Sequence, residues 1–162
     1  MRYLANGLTV ARMLLSLVLL ARAPFSLAVY TAAGVTDMLD GWVARRTGTA
    51  SDFGARLDST ADILFLLAAA RHLLPRWWIA LPGWIWELAL AAGVLRCGAY
   101  GLGAWRQRRF TALHTRLNKL TGAALFCLAY VPSAFLTAAA GLTALLAVWS
   151  AGEELILTAR AV

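Results

Sequence analysis

Acidic side chains are scarce in this sequence, with eight Asp and Glu against fifteen Lys and Arg in 162 residues, and the marks of a secreted or soluble domain are scarcer still. The two cysteines, Cys97 and Cys127, lie far apart without metal-ligand spacing. That argues against a disulfide framework or a cysteine zinc site and predicts two buried free thiols. The two histidines, His72 and His114, each fall near a predicted helix end, where an interfacial imidazole is expected. No internal repeat and no low-complexity segment interrupts the chain. A net charge of +7 on so apolar a chain excludes a nucleic-acid role and points instead to anionic lipid headgroups or phosphorylated ligands.

What is abundant is hydrocarbon. The chain is 61% hydrophobic with a mean hydropathy of +0.69, well above the roughly half expected of a soluble domain. A membrane-spanning helix needs about 20 mostly apolar residues, so the length holds about six spans and no separate soluble domain. Pro24, the Pro75–Trp78 cluster, Pro82 and the basic stretch from Arg106 to Arg116 divide the chain into segments of that length. The expected fold is an all-α integral membrane protein, a single domain over 1–162 with six transmembrane helices near 4–22, 25–46, 52–74, 78–101, 114–135 and 138–158. The first is expected to be a retained helix rather than a signal peptide, because it carries Asn6, Thr9 and Arg12 and lacks a small-residue cleavage site. Most Lys and Arg fall on one side of this scheme, which predicts cytoplasmic N- and C-termini, and Trp77, Trp78, Trp84 and Trp86 gather near the other boundary as an aromatic belt.

Five of the eight acids, Asp37, Asp40, Asp52, Asp58 and Asp62, lie in one stretch joining the second and third predicted spans. Asp52, after Ser51, has the position of a helix cap and is set aside. The other four cost about 2.5–3.5 kcal/mol each at the centre of a bilayer, so together they need a cationic partner. On helices, Asp37, Asp40, Gly41 and Ala44 share one face, and Gly54, Asp58 and Asp62 share another. A short turn between the helices opposes the two faces, and converging carboxylates suit Mg²⁺ or Mn²⁺ together with the phosphates such ions bind. Gly41 and Gly54 leave room for a ligand beside the backbone, and Arg45 offers a planar fork of donors to a phosphate. Taken one at a time, an Asp here is equally well a cap or the partner of Arg45 or Arg56.

The string Asp37-x-x-Asp40-Gly41-x-x-Ala44-Arg45, eight residues, then Gly54-x-x-x-Asp58-x-x-x-Asp62 resembles the complete signature of the CDP-alcohol phosphotransferase family. The resemblance implies six membrane helices with the signature on the second and third near the cytoplasmic face, in a bacterial-type cytoplasmic membrane, and a homodimer. It implies a two-metal centre of Mg²⁺ or Mn²⁺ held by Asp37, Asp40, Asp58 and Asp62, with Asp62 as the base toward the acceptor hydroxyl. Gly41, Ala44, Arg45 and Gly54 then line the CDP pocket. Asn6-Gly7-Leu8-Thr9-x-x-Arg12 is similar to the first helix of family members, where such residues lie near the donor's phosphates; for Asn6 and Thr9 a polar helix-end role serves equally.

The implied reaction moves a phosphoalcohol from a CDP-linked donor, CDP-diacylglycerol above all, to a hydroxyl acceptor with release of CMP. Arg116-Leu117-Asn118-Lys119-Leu120-Thr121 looks like a segment of the phosphatidylglycerophosphate and cardiolipin synthase branch, but Asn118 replaces its glycine and Thr121 sits one residue early. The expected acceptor is glycerol 3-phosphate, bound by Arg96, Arg116 and Lys119; inositol phosphate, serine and phosphatidylglycerol stay open. Glu87 is placed either beside Arg96 or at the outer interface, and Glu153 and Glu154 are expected to be solvated or paired with a cytoplasmic Arg. Two other classes compete. A membrane prenyltransferase draws two Asp-rich motifs from distant helices of a longer chain, and an ion or proton transporter spreads its acids through the bilayer or between repeated halves.

Overall fold

The computed structural model describes residues 2–21, 25–47, 52–107 and 116–160, and within these helices the side chains of 2–6, 40–47, 52, 53, 55, 56, 104, 106, 107 and 116 are outside the description. All regular structure among the described residues is helical: α1 (Arg2–Ala21), α2 (Leu27–Thr47), α3 (Asp52–Ala80), α4 (Gly83–Gln107), α5 (Arg116–Cys127), a 3₁₀ turn (Leu128–Tyr130) and α6 (Ser133–Arg160). The chain forms two compact units, Met1–Trp78 and Ile79–Val162.

Prolines set the helix ends, though not all where the sequence suggests. Pro75 lies inside α3, which runs on to Ala80 instead of ending near 74. A proline removes one helical hydrogen bond, a loss that neighbouring groups can make good in a membrane helix. The break falls at Leu81–Pro82, since the residue before a proline is pushed out of helical geometry. Val131, before Pro132, is extended (φ −74°, ψ 127°) for the same reason. The fifth helix therefore stops at Cys127, short of the expected 135, and α6 starts at Ser133, ahead of the expected 138.

In the first unit α1 packs along α2. Ser26 starts α2, its hydroxyl accepting from the Val29 amide at 3.4 Å and its carbonyl from the Tyr30 amide at 3.0 Å. The covered stripe of α1, Thr9, Arg12, Ser16 and Leu19, follows the 3.6-residue period. At its Leu19 end the packing is aromatic. Tyr30 of α2 stacks on Phe65 of α3 with centroids 5.3 Å apart, Phe25 lies 5.6 Å from His72, and His72 Nε2 donates to the Leu19 carbonyl at 2.7 Å. His72 is thus a tie between α3 and the end of α1.

In the second unit α6 packs against α4 and α5. Its buried face, Leu136, Ala140, Gly141, Ala144, Ala151, Glu154 and Thr158, is rich in small residues, which lets helix backbones approach closely. A Cβ added at Gly141 would lie 2.6 Å from Cη2 of Trp84, so that glycine is required by the indole of α4. Trp84 is accordingly a packing residue as well as a member of the expected belt. Cys97 and Cys127 are free, as expected, but both are exposed rather than buried: each falls on an outward face of its helix.

Large apolar side chains cover the outside, among them Ile79 at 87% exposure and Trp105, Trp149 and Leu142 at 70% or more. A chain surrounded by water rarely presents so continuous an apolar surface. Among the described residues, three helices are long and apolar enough to cross a membrane, Leu57–Ala80, Gly83–Gly103 and Ser133–Arg160. Apolar stretches over Gly7–Ala21 and Leu27–Leu39 make up the described side chains of α1 and of α2.

Candidate functional site

The polar end of the first unit lies one helical repeat from its aromatic end. Along α2 the buried positions Tyr30 and Ala33 are followed four residues later by Asp37, so the face that packs on α1 ends in a carboxylate. In α3, Asp58 and Asp62 flank the fully buried Ala61, which turns both toward the same interior. Arg12 is the third component, two turns along α1 from the packed Leu19.

Arg12 binds all three acids. Its Nη1 donates to Oδ1 of Asp37 and, at 2.9 Å, to Oδ1 of Asp62, while Nη2 donates to Oδ1 of Asp58 and, at 3.4 Å, to the Asp58 carbonyl. The guanidinium side chain is 1% exposed, whereas the Asp37, Asp58 and Asp62 side chains are 52%, 49% and 60% exposed. Arg12 is therefore the floor of the cluster and the carboxylates form its open rim. One oxygen from each Asp lies within 4.8 Å of the others, a spacing suited to a shared cation. Three carboxylates and one guanidinium leave two negative charges, and the donor set is all oxygen. That combination fits a hard divalent ion such as Mg²⁺ or Mn²⁺, which keeps part of its water and takes phosphate oxygens as further ligands.

The remaining expected site residues are distributed as follows. Thr9 is buried on α1 one turn before Arg12, and Gly54 is half-buried on α3 one turn before Asp58. Asn6, Asp40, Gly41, Ala44, Arg45 and Arg116 lie outside the described side chains, as does Arg56. Arg12, which the sequence placed near the donor's phosphates and not among the acids, is the described partner of all three carboxylates. The signal for it was present, since an arginine inside an apolar helix needs a buried anion.

In the second unit Arg96 of α4 donates through Nη2 to Asn118 Oδ1 of α5 at 2.7 Å, and its Nε lies 4.0 Å from Glu154 Oε2 of α6. Glu154 is 1% exposed, so of the two expectations for it solvation fails, while pairing with an arginine holds, the partner being Arg96 within α4. It continues the buried face of α6. Glu87 is exposed and Arg96 is engaged elsewhere; Lys119, next to Asn118, is exposed.

A stretch of 82 residues, 51% of this chain, is 39% identical to a CDP-diacylglycerol–serine O-phosphatidyltransferase of Methanocaldococcus jannaschii. A stretch of 65 residues, 37% of this chain, is 42% identical to a CDP-diacylglycerol–glycerol-3-phosphate 3-phosphatidyltransferase of Escherichia coli strain K12, and equally to its counterpart in Shigella flexneri. The matched stretches span only 36% and 35% of those relatives' own lengths. No solved structure matches. The family profile described as CDP-alcohol phosphatidyltransferase, in contrast, matches residues 2–158, nearly end to end, and the chain belongs to that family.

Proposed function

We propose that the protein is an integral membrane transferase that moves a phosphatidyl group from CDP-diacylglycerol to a small hydroxyl acceptor and releases CMP. The observation that carries this is the convergence of Asp37, Asp58 and Asp62 above the Arg12 guanidinium. Asp37, Asp40, Asp58 and Asp62 are the residues to hold two Mg²⁺ or Mn²⁺ ions, which supply charge neutralisation at the phosphate under attack and at the leaving CMP. Asp62, the most exposed of the three described acids, takes the acceptor's hydroxyl proton. The hydroxyl oxygen forms a bond to the phosphatidyl phosphorus as the bond from that phosphorus to CMP breaks, and CMP leaves with the electron pair. Arg12, holding Asp62 from behind, fixes the direction in which that carboxylate faces. Gly41, Ala44, Arg45 and Gly54, with Asn6 and Thr9, are assigned to the CDP moiety on the strength of the signature.

All six helices are taken to be membrane spans of one catalytic domain with both termini cytoplasmic, in a bacterial-type cytoplasmic membrane and with the site near its cytoplasmic face. The excess of Arg at that side supports the orientation. The acyl chains of the donor then stay in the bilayer while its head group enters from the interface. A homodimer is the assembly that the signature implies. For the acceptor, the names of the relatives offer serine and glycerol 3-phosphate. The basic stretch from Arg106 through Arg116 to Lys119 suits the phosphorylated one.

The test is purified protein in lipid nanodiscs, given radiolabelled CDP-diacylglycerol and a panel of hydroxyl acceptors with and without Mg²⁺ or Mn²⁺. The expected result is metal-dependent CMP release in the wild type. In Asp62→Asn, donor binding persists and release falls by about 10²–10⁴-fold. Undiminished release in that variant removes Asp62 as the base; no release with any acceptor, together with ion flux in vesicles, replaces the transferase with a transporter.

A further inference from the structure

The charge that Arg12 brings to the carboxylates is fixed there. Its side chain is 1% exposed, and it donates to Oδ1 of Asp37, of Asp58 and, at 2.9 Å, of Asp62, with a further bond at 3.4 Å to the Asp58 carbonyl. A guanidinium keeps its charge, and one so deeply covered has no water into which it can withdraw. Nor is there another anion to receive it among the described residues. Its neighbours on the covered stripe of α1 are Thr9, Ser16 and Leu19, and the Ser16 hydroxyl donates to the Arg12 carbonyl at 2.8 Å. Every carboxylate described in the unit Met1–Trp78 is already bound to it.

A fixed positive charge changes what the centre can load. Three carboxylates and one guanidinium leave two negative charges, the complement of one divalent ion. Asp40, which the signature assigns to the same centre, brings a third. A second divalent ion then turns the centre net positive, with two dications and a guanidinium gathered on four carboxylates. Ions in a two-metal site stand about 3.5–4 Å apart, where their repulsion is strong and has to be met by anionic ligands. The missing negative charge is what a diphosphate carries. Without Arg12, by contrast, four carboxylates balance two divalent ions and need no diphosphate.

We propose that Arg12 makes the metal centre depend on the donor: the protein by itself binds one divalent ion tightly, and the second enters together with the diphosphate of the CDP-linked donor. Arg12 is thus a positioning residue that acts through the carboxylates, its charge standing in for that of the second ion while no donor is bound. The dependence runs both ways, since a donor that tightens the binding of an ion is itself bound more tightly by the same factor. The inference rests on the transferase reading given above, which supplies the donor.

The experiment uses the full chain in phosphatidylcholine nanodiscs with or without CDP-diacylglycerol. Mn²⁺ is titrated in and free Mn²⁺ is read by electron paramagnetic resonance, with empty nanodiscs of the same lipids giving the ions bound by lipid alone. The wild type is expected to bind one Mn²⁺ tightly without the donor and two with it, the affinity for the second rising by about tenfold or more. Arg12→Gln is expected to bind two without the donor, which then changes the affinity for the second by less than about threefold. Arg12→Lys retains the charge and is expected to keep the donor dependence of the wild type. Two ions bound equally well by the wild type with and without the donor overturn the proposal, even if the variants fail to fold. Wild-type donor dependence in Arg12→Gln, or its loss in Arg12→Lys, overturns the charge of Arg12 as the cause. A wild type that releases no CMP with any acceptor overturns the transferase reading itself, whereas CMP release with a second ion indifferent to the donor overturns the coupling alone.

Discussion

A guanidinium beneath three carboxylates is a stable arrangement only while all its members are present. Removing Arg12 would leave Asp37, Asp58 and Asp62 repelling one another across less than 5 Å, where the fully buried guanidinium now separates them. Breaking a wholly buried ion pair costs about 3–5 kcal/mol. Here the acids are half-exposed and partly screened, so Arg12→Gln is expected to lower stability by about 1–3 kcal/mol. A divalent cation can replace the lost charge. The expected outcome is a lower melting temperature in detergent, with a larger upward shift on adding Mn²⁺ than the wild type shows. A melting temperature equal to that of the wild type in metal-free buffer would show that Arg12 is not the electrostatic keystone of the cluster. At this scale the sequence was informative about the acids but did not single out Arg12 as the partner they share. The i+4 step from Asp58 to Asp62 is visible in a linear string; the reach of Arg12, 46 residues from Asp58 and 50 from Asp62, is a property of the folded helices.

At the scale of the element, helix contacts are written in small residues and helix ends in proline. The α4–α6 contact closes over Gly141, where even a methyl group would strike the Trp84 ring. An indole is rigid and cannot fold away as a long aliphatic chain can, so Gly141→Val must push the helices apart or tip the ring off its rotamer. Overpacking of this kind costs about 1–3 kcal/mol. Thermal unfolding of Gly141→Val is expected to show that loss, and Gly141→Val with Trp84→Ala is expected to regain part of it; absence of coupling between the two substitutions would argue against the contact. Helix identity was legible in the length of apolar runs, and helix ends less so. Pro75 and Pro132 are the same residue type with opposite outcomes, one carried inside α3 and the other separating the 3₁₀ turn from α6. Local composition does not distinguish them, because the result depends on what surrounds the carbonyl that each proline leaves unpaired. Glu154 teaches the same lesson: only the face it shares with Ala151 and Thr158 reveals that it is buried.

At the scale of the whole molecule, the outer surface is hydrocarbon. Among the described residues, exposed Ile, Leu, Trp and Val side chains run along the helices from α1 to α6, and three helices have the length and composition of membrane spans. After expression in bacteria the protein is expected to stay in the membrane pellet through alkaline carbonate washing and to leave it only with detergent. Release by carbonate alone would contradict a spanning architecture. The class of fold was legible at this scale because hydropathy is summed over whole helices and tolerates local error.

The polar stripe of α1 also bears on how the protein is made. α1 is synthesised before α2 and α3, and on the six-span reading proposed above Arg12 costs about 2.5–3.5 kcal/mol if left alone in hydrocarbon. The three side chains that neutralise it belong to α2 and α3, which are synthesised later. On that reading α1 settles in lipid only once the hairpin that follows it brings the aspartates.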